Sequence, residues 1–242
     1  MIPVLDLLLD IDNKLNDNSN LVNQFIPNEV KITFLNNAQD KLILKKLGLN
    51  NNYKLGLDAF AKRYEDLQVL VVPYTKFIVS KTLDDVFNSY QSDTNTLTEK
   101  LFIPIDSYVL ATKDGCENRI LQVTEIVKHG DLQLKLNSPH FTPSFEYQET
   151  LATMTNDLFY TYPDKENSFT ITSLYLTYLR YPAKIDIAGY VNLDGSPSAN
   201  SNCELESYLK NELVDIAVED LAMATGNQEQ VQNSMKRTSE NE

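Results

Sequence analysis

Between Asp194 and Leu205 side-chain oxygens recur at a spacing that suits an ion. Asp194, Ser196, Ser198, Asn200 and Asn202 fall at alternate positions, as in a calcium loop. Two required residues are missing, however. Ala199 stands where the sharp-turn glycine belongs, and Leu205 stands where a bidentate glutamate would close the shell. The stretch is therefore read as an Asp194-Gly195 turn followed by a polar connection. Other chemistry-bearing residues are equally isolated. His129 lies in an expected hairpin turn and His140 in a Pro-flanked loop, and neither belongs to an H-E-x-x-H pattern. Cys116 and Cys203 are too far apart in sequence for a C-x-x-C pair and have no evident electropositive surroundings, so both are expected to be free, unreactive thiols. With 7 glycines the chain has neither a G-x-G-x-x-G nor a G-x-x-x-x-G-K-[ST] phosphate cradle. No G-x-S-x-G elbow is present either. The expectation is a protein that is not an enzyme, with no cofactor and no metal.

The surrounding elements follow from periodicity. "VLDLLLDIDNKL" has helical spacing, with Val4, Leu5, Leu8, Leu9 and Leu15 expected to face other protein. Asp6, Asp10 and Asp12 interrupt the apolar run, which argues against a signal peptide or membrane span. A second helix is expected from Pro27 through Phe34, Leu35, Ala38 and Leu42, stopping near Gly48. A third helical piece is expected over 53–66. From Leu67 onward, short segments rich in β-branched and aromatic residues read as strands: 67–80, 101–112, 119–128, 131–137, 150–155, 157–163 and 168–182. They follow one another without evident helices, so an antiparallel sheet or small barrel is expected. Ser201 and Glu204 form a capping-box pattern before a last helix whose apolar stripe is Leu205, Leu209, Leu213, Ile216 and Ala217.

The fold expected is α+β, with N- and C-terminal helices forming a bundle and a central antiparallel β-sheet or barrel domain projecting from it. The parts are 1–66, helical; 67–190, β; 191–225, a connecting loop and C-terminal helix; and 226–242, a partner-binding tail. Charge constrains function further. Thirty-four acids against 21 bases leave a net charge of -13, which repels polyphosphate and excludes a sequence-reading nucleic-acid binder. Acids gather on the last helix, Glu206, Glu212, Asp215, Glu219 and Asp220 against Lys210. They read either as a solvated face or as the lining of a channel that DNA passes without sticking. Thirteen tyrosines suit contact surfaces as well as core.

Two segments carry a family resemblance. "LDLLLDIDNKLNDNSNLVNQFIPNEVKITFLNNAQDKLI" and "SLYLTYLRYPAKIDIAGYVNLDGSPSANSNCELESYLKNELVDIAVEDLAMATGN" resemble the start and the close of virion ring proteins from crAss-like bacteriophages. The resemblance implies a head–tail connector, or adaptor: a dodecameric homo-oligomeric ring below the portal. Its partners would be the portal protein, further ring or tail proteins, and double-stranded DNA passing through without sequence-specific contact. It implies residence in the virion at the head–tail interface, assembly in the bacterial host cytoplasm, and no membrane. Within this picture the five acids are candidate lumen residues. Gln228, Val231, Met235, Lys236 and Arg237 are candidate partner contacts in the tail. The alternative expectation, from the tyrosines and strands, is a carbohydrate- or cell-surface-binding β module.

Overall fold

The computed structural model describes residues 1–16, 26–47, 66–83, 88–191 and 195–225. The expected helix over 53–66 and the stop at Gly48 lie outside the described residues, except for Asp66. The protein is α+β. It divides into two compact units, one of Met1–Val69 with Pro182–Glu242 and one of Leu70–Tyr181.

In the first unit α1 spans Val4–Asn16, α2 spans Asn28–Lys46, and α4 spans Lys210–Thr225 after a single 3-10 turn at Ser207–Leu209. α4 has Glu212 through Val218 buried without interruption. A helix buried all round must be central, because a one-sided helix leaves a polar stripe in water. α1 and α2 both contact it. The face that α1 buries is Val4, Leu7, Leu8 and Ile11, whereas Leu5 and Leu9 are 65% and 60% exposed. The stripe expected from sequence is thus rotated, since Leu7 and Ile11 rather than Leu5 and Leu9 complete the i, i+3, i+4 set with Val4 and Leu8.

The second unit is an eight-stranded sheet: β1 Val71–Ile78, β2 Ser80–Leu83, β3 Asn88–Asp93, β4 Leu101–Thr112, β5 Arg119–Ile126, β6 Glu149–Thr155, β7 Leu158–Tyr162 and β8 Thr170–Arg180. Their order is β1-β8-β4-β5-β6-β7-β3-β2. The sheet curls as a half-barrel, and its two ends belong to one extended segment. β1 pairs with β8 as far as Ile78, and β2, one residue further on, pairs with β3 from Ser80. The concave side holds the core, including Phe77, Tyr90, Val109, Leu121, Phe159, Phe169, Leu174, Leu176 and Tyr178. Gly115, at φ 77°, takes the left-handed turn between β4 and β5 that a side chain would resist.

One expectation is overturned. The sheet is mixed, because β5 and β6 run parallel. The segment "DLQLKLN" between them is not a strand but lies in a helix, α3, His129–Asn137. Its alternation of leucines mimics period 2, yet Leu132 and Leu136 also lie one helical turn apart. They are buried against Val127, Leu151 and Tyr162, while Leu134 is 73% exposed. A parallel pair needs a crossover rather than a hairpin, and α3 provides it. His129 therefore opens a helix rather than sitting in a hairpin turn, and its ring pairs with the Thr155 hydroxyl.

Candidate functional site

The acids of α4 are the densest candidate cluster, and the structure assigns them two different environments. Glu212 and Asp215 are buried, at 7% and 4% exposure. Glu212 meets Lys46 of α2 at 2.7 Å and Lys45 at 3.3 Å. Asp215 receives the Lys14 ammonium of α1 at 2.7 Å. Asp220 is partly buried and pairs with Lys41 at 2.6 Å. Two further pairs join the lattice, Lys210 with Asp10 at 2.7 Å and Lys31 with Asp12 at 2.6 Å. Around the same helices Asp66 lies 3.6 Å from Lys46 and accepts the Tyr208 hydroxyl at 2.6 Å. The face read as bare acid is thus largely an interhelical ion-pair network. The lysines that meet the acids of α4 come from α1 and α2, so no local reading of α4 could find them. Glu206 and Glu219 remain half-exposed.

The network limits what these acids can do. A buried carboxylate is tolerated only when paired, and breaking such a pair costs more than an exposed pair ever contributes. Glu212 and Asp215 accordingly fix how α1 and α2 lie on α4, and neither presents open charge to a ligand.

The connection from β8 to α4, which held the calcium-like spacing, is fastened along its length. Asp186 and Ser201 form a two-way backbone bridge, as do Ile2 and Cys203. The candidate oxygens are occupied by backbone amides: Ser198 Oγ accepts from Tyr190 N at 3.0 Å, Asn200 Oδ1 from Ala188 N at 2.8 Å, and Asn202 Oδ1 from Val4 N at 3.1 Å. Asp194 lies outside the described residues. Among the described residues, no group of three or more His, Cys, Asp or Glu side chains could hold a metal ion. The capping box is not formed. Ser201 belongs to the Asp186 bridge, the Glu204 carboxylate accepts from Ala183 N at 3.0 Å, and the helix starts later.

The comparison with protein families decides the identity. Residues 9–234 match the model of the crAss phage family described as phage tail ring protein 3/4, which takes in most of both structural units. The chain belongs to that family. It is a structural tail ring protein of a crAss-like bacteriophage and a component of the virion. No curated protein matches the chain.

Within this ring protein the remaining chemistry-bearing residues sit apart. Cys116 is exposed in the β4–β5 turn, whereas Cys203 is buried, and burial pushes its thiol above the ordinary range. His140 is exposed. Among the described residues, no helix is long and apolar enough to cross a membrane. Gln228, Val231, Met235, Lys236 and Arg237 lie outside the described residues.

Sequence reading missed Asn36, in the middle of α2. Its side-chain amide donates to Ile185 O at 2.9 Å, and its carbonyl oxygen accepts from Ile185 N at 2.9 Å. This paired contact replaces a strand partner for the connecting segment. A polar residue beside buried Ile32 and Leu35 was the available signal, because Asn is unfavourable inside a helix unless its amide is used.

Proposed function

We propose that this tail ring protein works as a head–tail connector, joining the portal to the tail and forming part of the channel through which DNA leaves. The observation that carries the reading is the family match, which runs through most of both structural units rather than one module. Copies meet side by side by heterologous contacts that close a ring. The expected stoichiometry is twelve, as the resemblance implies. α1, α2 and α4 act as one bundle, held by the Lys14–Asp215 and Lys46–Glu212 pairs. Glu206, just before the 3-10 turn that leads into α4, and Glu219 and the Lys41-paired Asp220 on α4 are the partly exposed acids with side-chain surface to face a channel. An acidic lining repels the DNA backbone and keeps the passage from binding it. The tail over 226–242, with Gln228, Val231, Met235, Lys236 and Arg237, attaches to the portal, and the protein is assembled in the host cytoplasm.

Electron microscopy of virions tests this reading. A ring of this chain between portal and tail, enclosing DNA, is the expected image. A position remote from the head–tail junction would refute it. Truncation after Thr225 gives a second test, with portal attachment expected to be lost and the fold retained.

A further inference from the structure

The convex side of the half-barrel is covered in one part and open in another. Over β6 and β7, α3 buries Leu151 and Tyr162. Strand pairing carries the same side onto β5, β4, β8 and β1. There the register aligns Ile120, Leu110, Ser173 and Ile78 in one row across four strands. The next row is Gln122, Tyr108, Tyr175 and Lys76. Ile78 is 86% exposed and Ile120 62% exposed. They stand at the two ends of the row, on β1 and β5, with partly exposed Leu110 and the small, buried Ser173 between them. Open β-branched side chains on one face of a sheet, with tyrosines in the next row, mark a contact surface.

A strained residue extends the patch. The β1 pairing slips between Val72 and Thr75, leaving Pro73 and Tyr74 as a bulge. Tyr74 takes φ 48°, donates its backbone N–H to the Thr177 hydroxyl at 3.3 Å, and leaves its side chain 68% exposed. Its ring stacks beside Tyr108, with centroids 6.5 Å apart. Bulges re-aim side chains, and a non-glycine residue at this angle persists only where the surroundings hold it. Tyr108 is itself anchored, since its hydroxyl donates to the Asp106 carboxylate. The result is a rigid surface of aliphatic and aromatic groups.

We propose that this outer face of β1-β8-β4-β5 is the surface through which one copy of the chain meets the next in the ring. The inference rests on the ring reading above and adds which face makes the contact. Charge selects the occupant. The two rows hold one cation, Lys76, and no acid, while Asp106 beside them is engaged by Tyr108 and by Ser107 N at 2.8 Å. One lysine is too little for a phosphate backbone, but it suits a protein of net charge -13 such as another copy of this chain. A closed ring needs a heterologous contact, in which this face meets a different surface of the next copy. The chain carries a second, different apolar strip for it: Leu5 and Leu9 on α1 are 65% and 60% exposed and Met1, just before the helix, 73%, with exposed Asp6 beside them.

Photo-crosslinking in assembled particles tests the proposal. The full chain is produced with p-benzoylphenylalanine at Ile78, at Ile120 or, as a control, at Leu134 on α3, and each variant is irradiated within virions. The expected product from Ile78 and Ile120 is a shift from the 27.5 kDa chain to twice that mass. Peptide mapping should join two copies of this chain, and Leu134 should give none. Attachment from both positions only to a different virion protein, or to nothing, overturns the proposal if microscopy still shows the ring. That outcome leaves the connector reading standing. Particles with no ring of this chain overturn both.

Discussion

Replacing Glu212 by alanine tests whether the α4 acids are structural ties or a charged lining. The carboxylate is 9% exposed and ion-paired with Lys46 at 2.7 Å and Lys45 at 3.3 Å, whose side chains are 18% and 31% exposed. Removing one partner of a fully buried pair costs about 3–5 kcal/mol, because the other charge is stranded. Here both lysines occupy the last turn of α2, where the helix C-terminus favours cations. Lys46 also keeps Asp66 at 3.6 Å, and long lysine stems can carry the ammonium toward water. The loss should therefore be about 2–3 kcal/mol. At about 2–4 °C per kcal/mol for a chain of this size, the helical melting transition falls by about 5–10 °C. Thermal and urea unfolding followed by circular dichroism measure it. Glu206→Ala, at a half-exposed site, should stay within about 0.5 kcal/mol of the parent. A double-mutant cycle of Glu212→Ala with Lys46→Ala should show coupling of at least about 1 kcal/mol, as residues in one ion-pair network do. A Glu212→Ala protein that melts like Glu206→Ala, or a cycle additive within about 0.3 kcal/mol, would refute the reasoning.

Three other outcomes follow from particular contacts. Asn36→Ala leaves both polar groups of Ile185 without their partners and should cost about 2 kcal/mol; Asn36→Leu should be no better, and equal stability of the alanine variant and the parent would refute the paired contact. Leu136→Ala opens the interface of α3 with β6 and β7 and should cost about 2–4 kcal/mol, while Leu134→Ala, at an exposed site, should change unfolding little. Tyr108 is pushed up to about 12, chiefly by its bond to Asp106, and Tyr190 to about 12, chiefly by burial and then by its bond to Asp186. Because the folded phenols hold their protons above the unfolded value of 10.0, their stabilisation is complete below that pH and is lost as pH rises through about 12. Burial also raises Tyr90 and Tyr178, so ultraviolet titration should show a late-ionising group of tyrosines, from which Tyr108→Phe and Tyr190→Phe should each remove one.

Much of the β unit was legible because its information is local. β4 occupies the residues 101–112 marked by their β-branched and aromatic composition, and β8 lies within 168–182. Leu174, Leu176 and Tyr178 share the core side, as period 2 requires. β3 was not legible: "NSYQSD" has one aromatic among polar residues, and its strand character comes from pairing with β7. α3 was misread because three alternating leucines satisfy a strand template, and only the parallel crossover it must make selects the helix.

The sequence by itself determined the acid excess, the absence of catalytic spacing, the apolar stripe of α4 and the family. Only the tertiary structure decided what the acids do. Asp215 and Lys14 are 201 residues apart along the chain yet form a bond of 2.7 Å, and the lysines that enclose Glu212 lie on a different helix. A hydrophobic stripe announces its own burial, because apolar area leaves water whatever it meets. A carboxylate can be a solvated surface charge or a buried tie, and its role is set by where the opposite charge comes to rest.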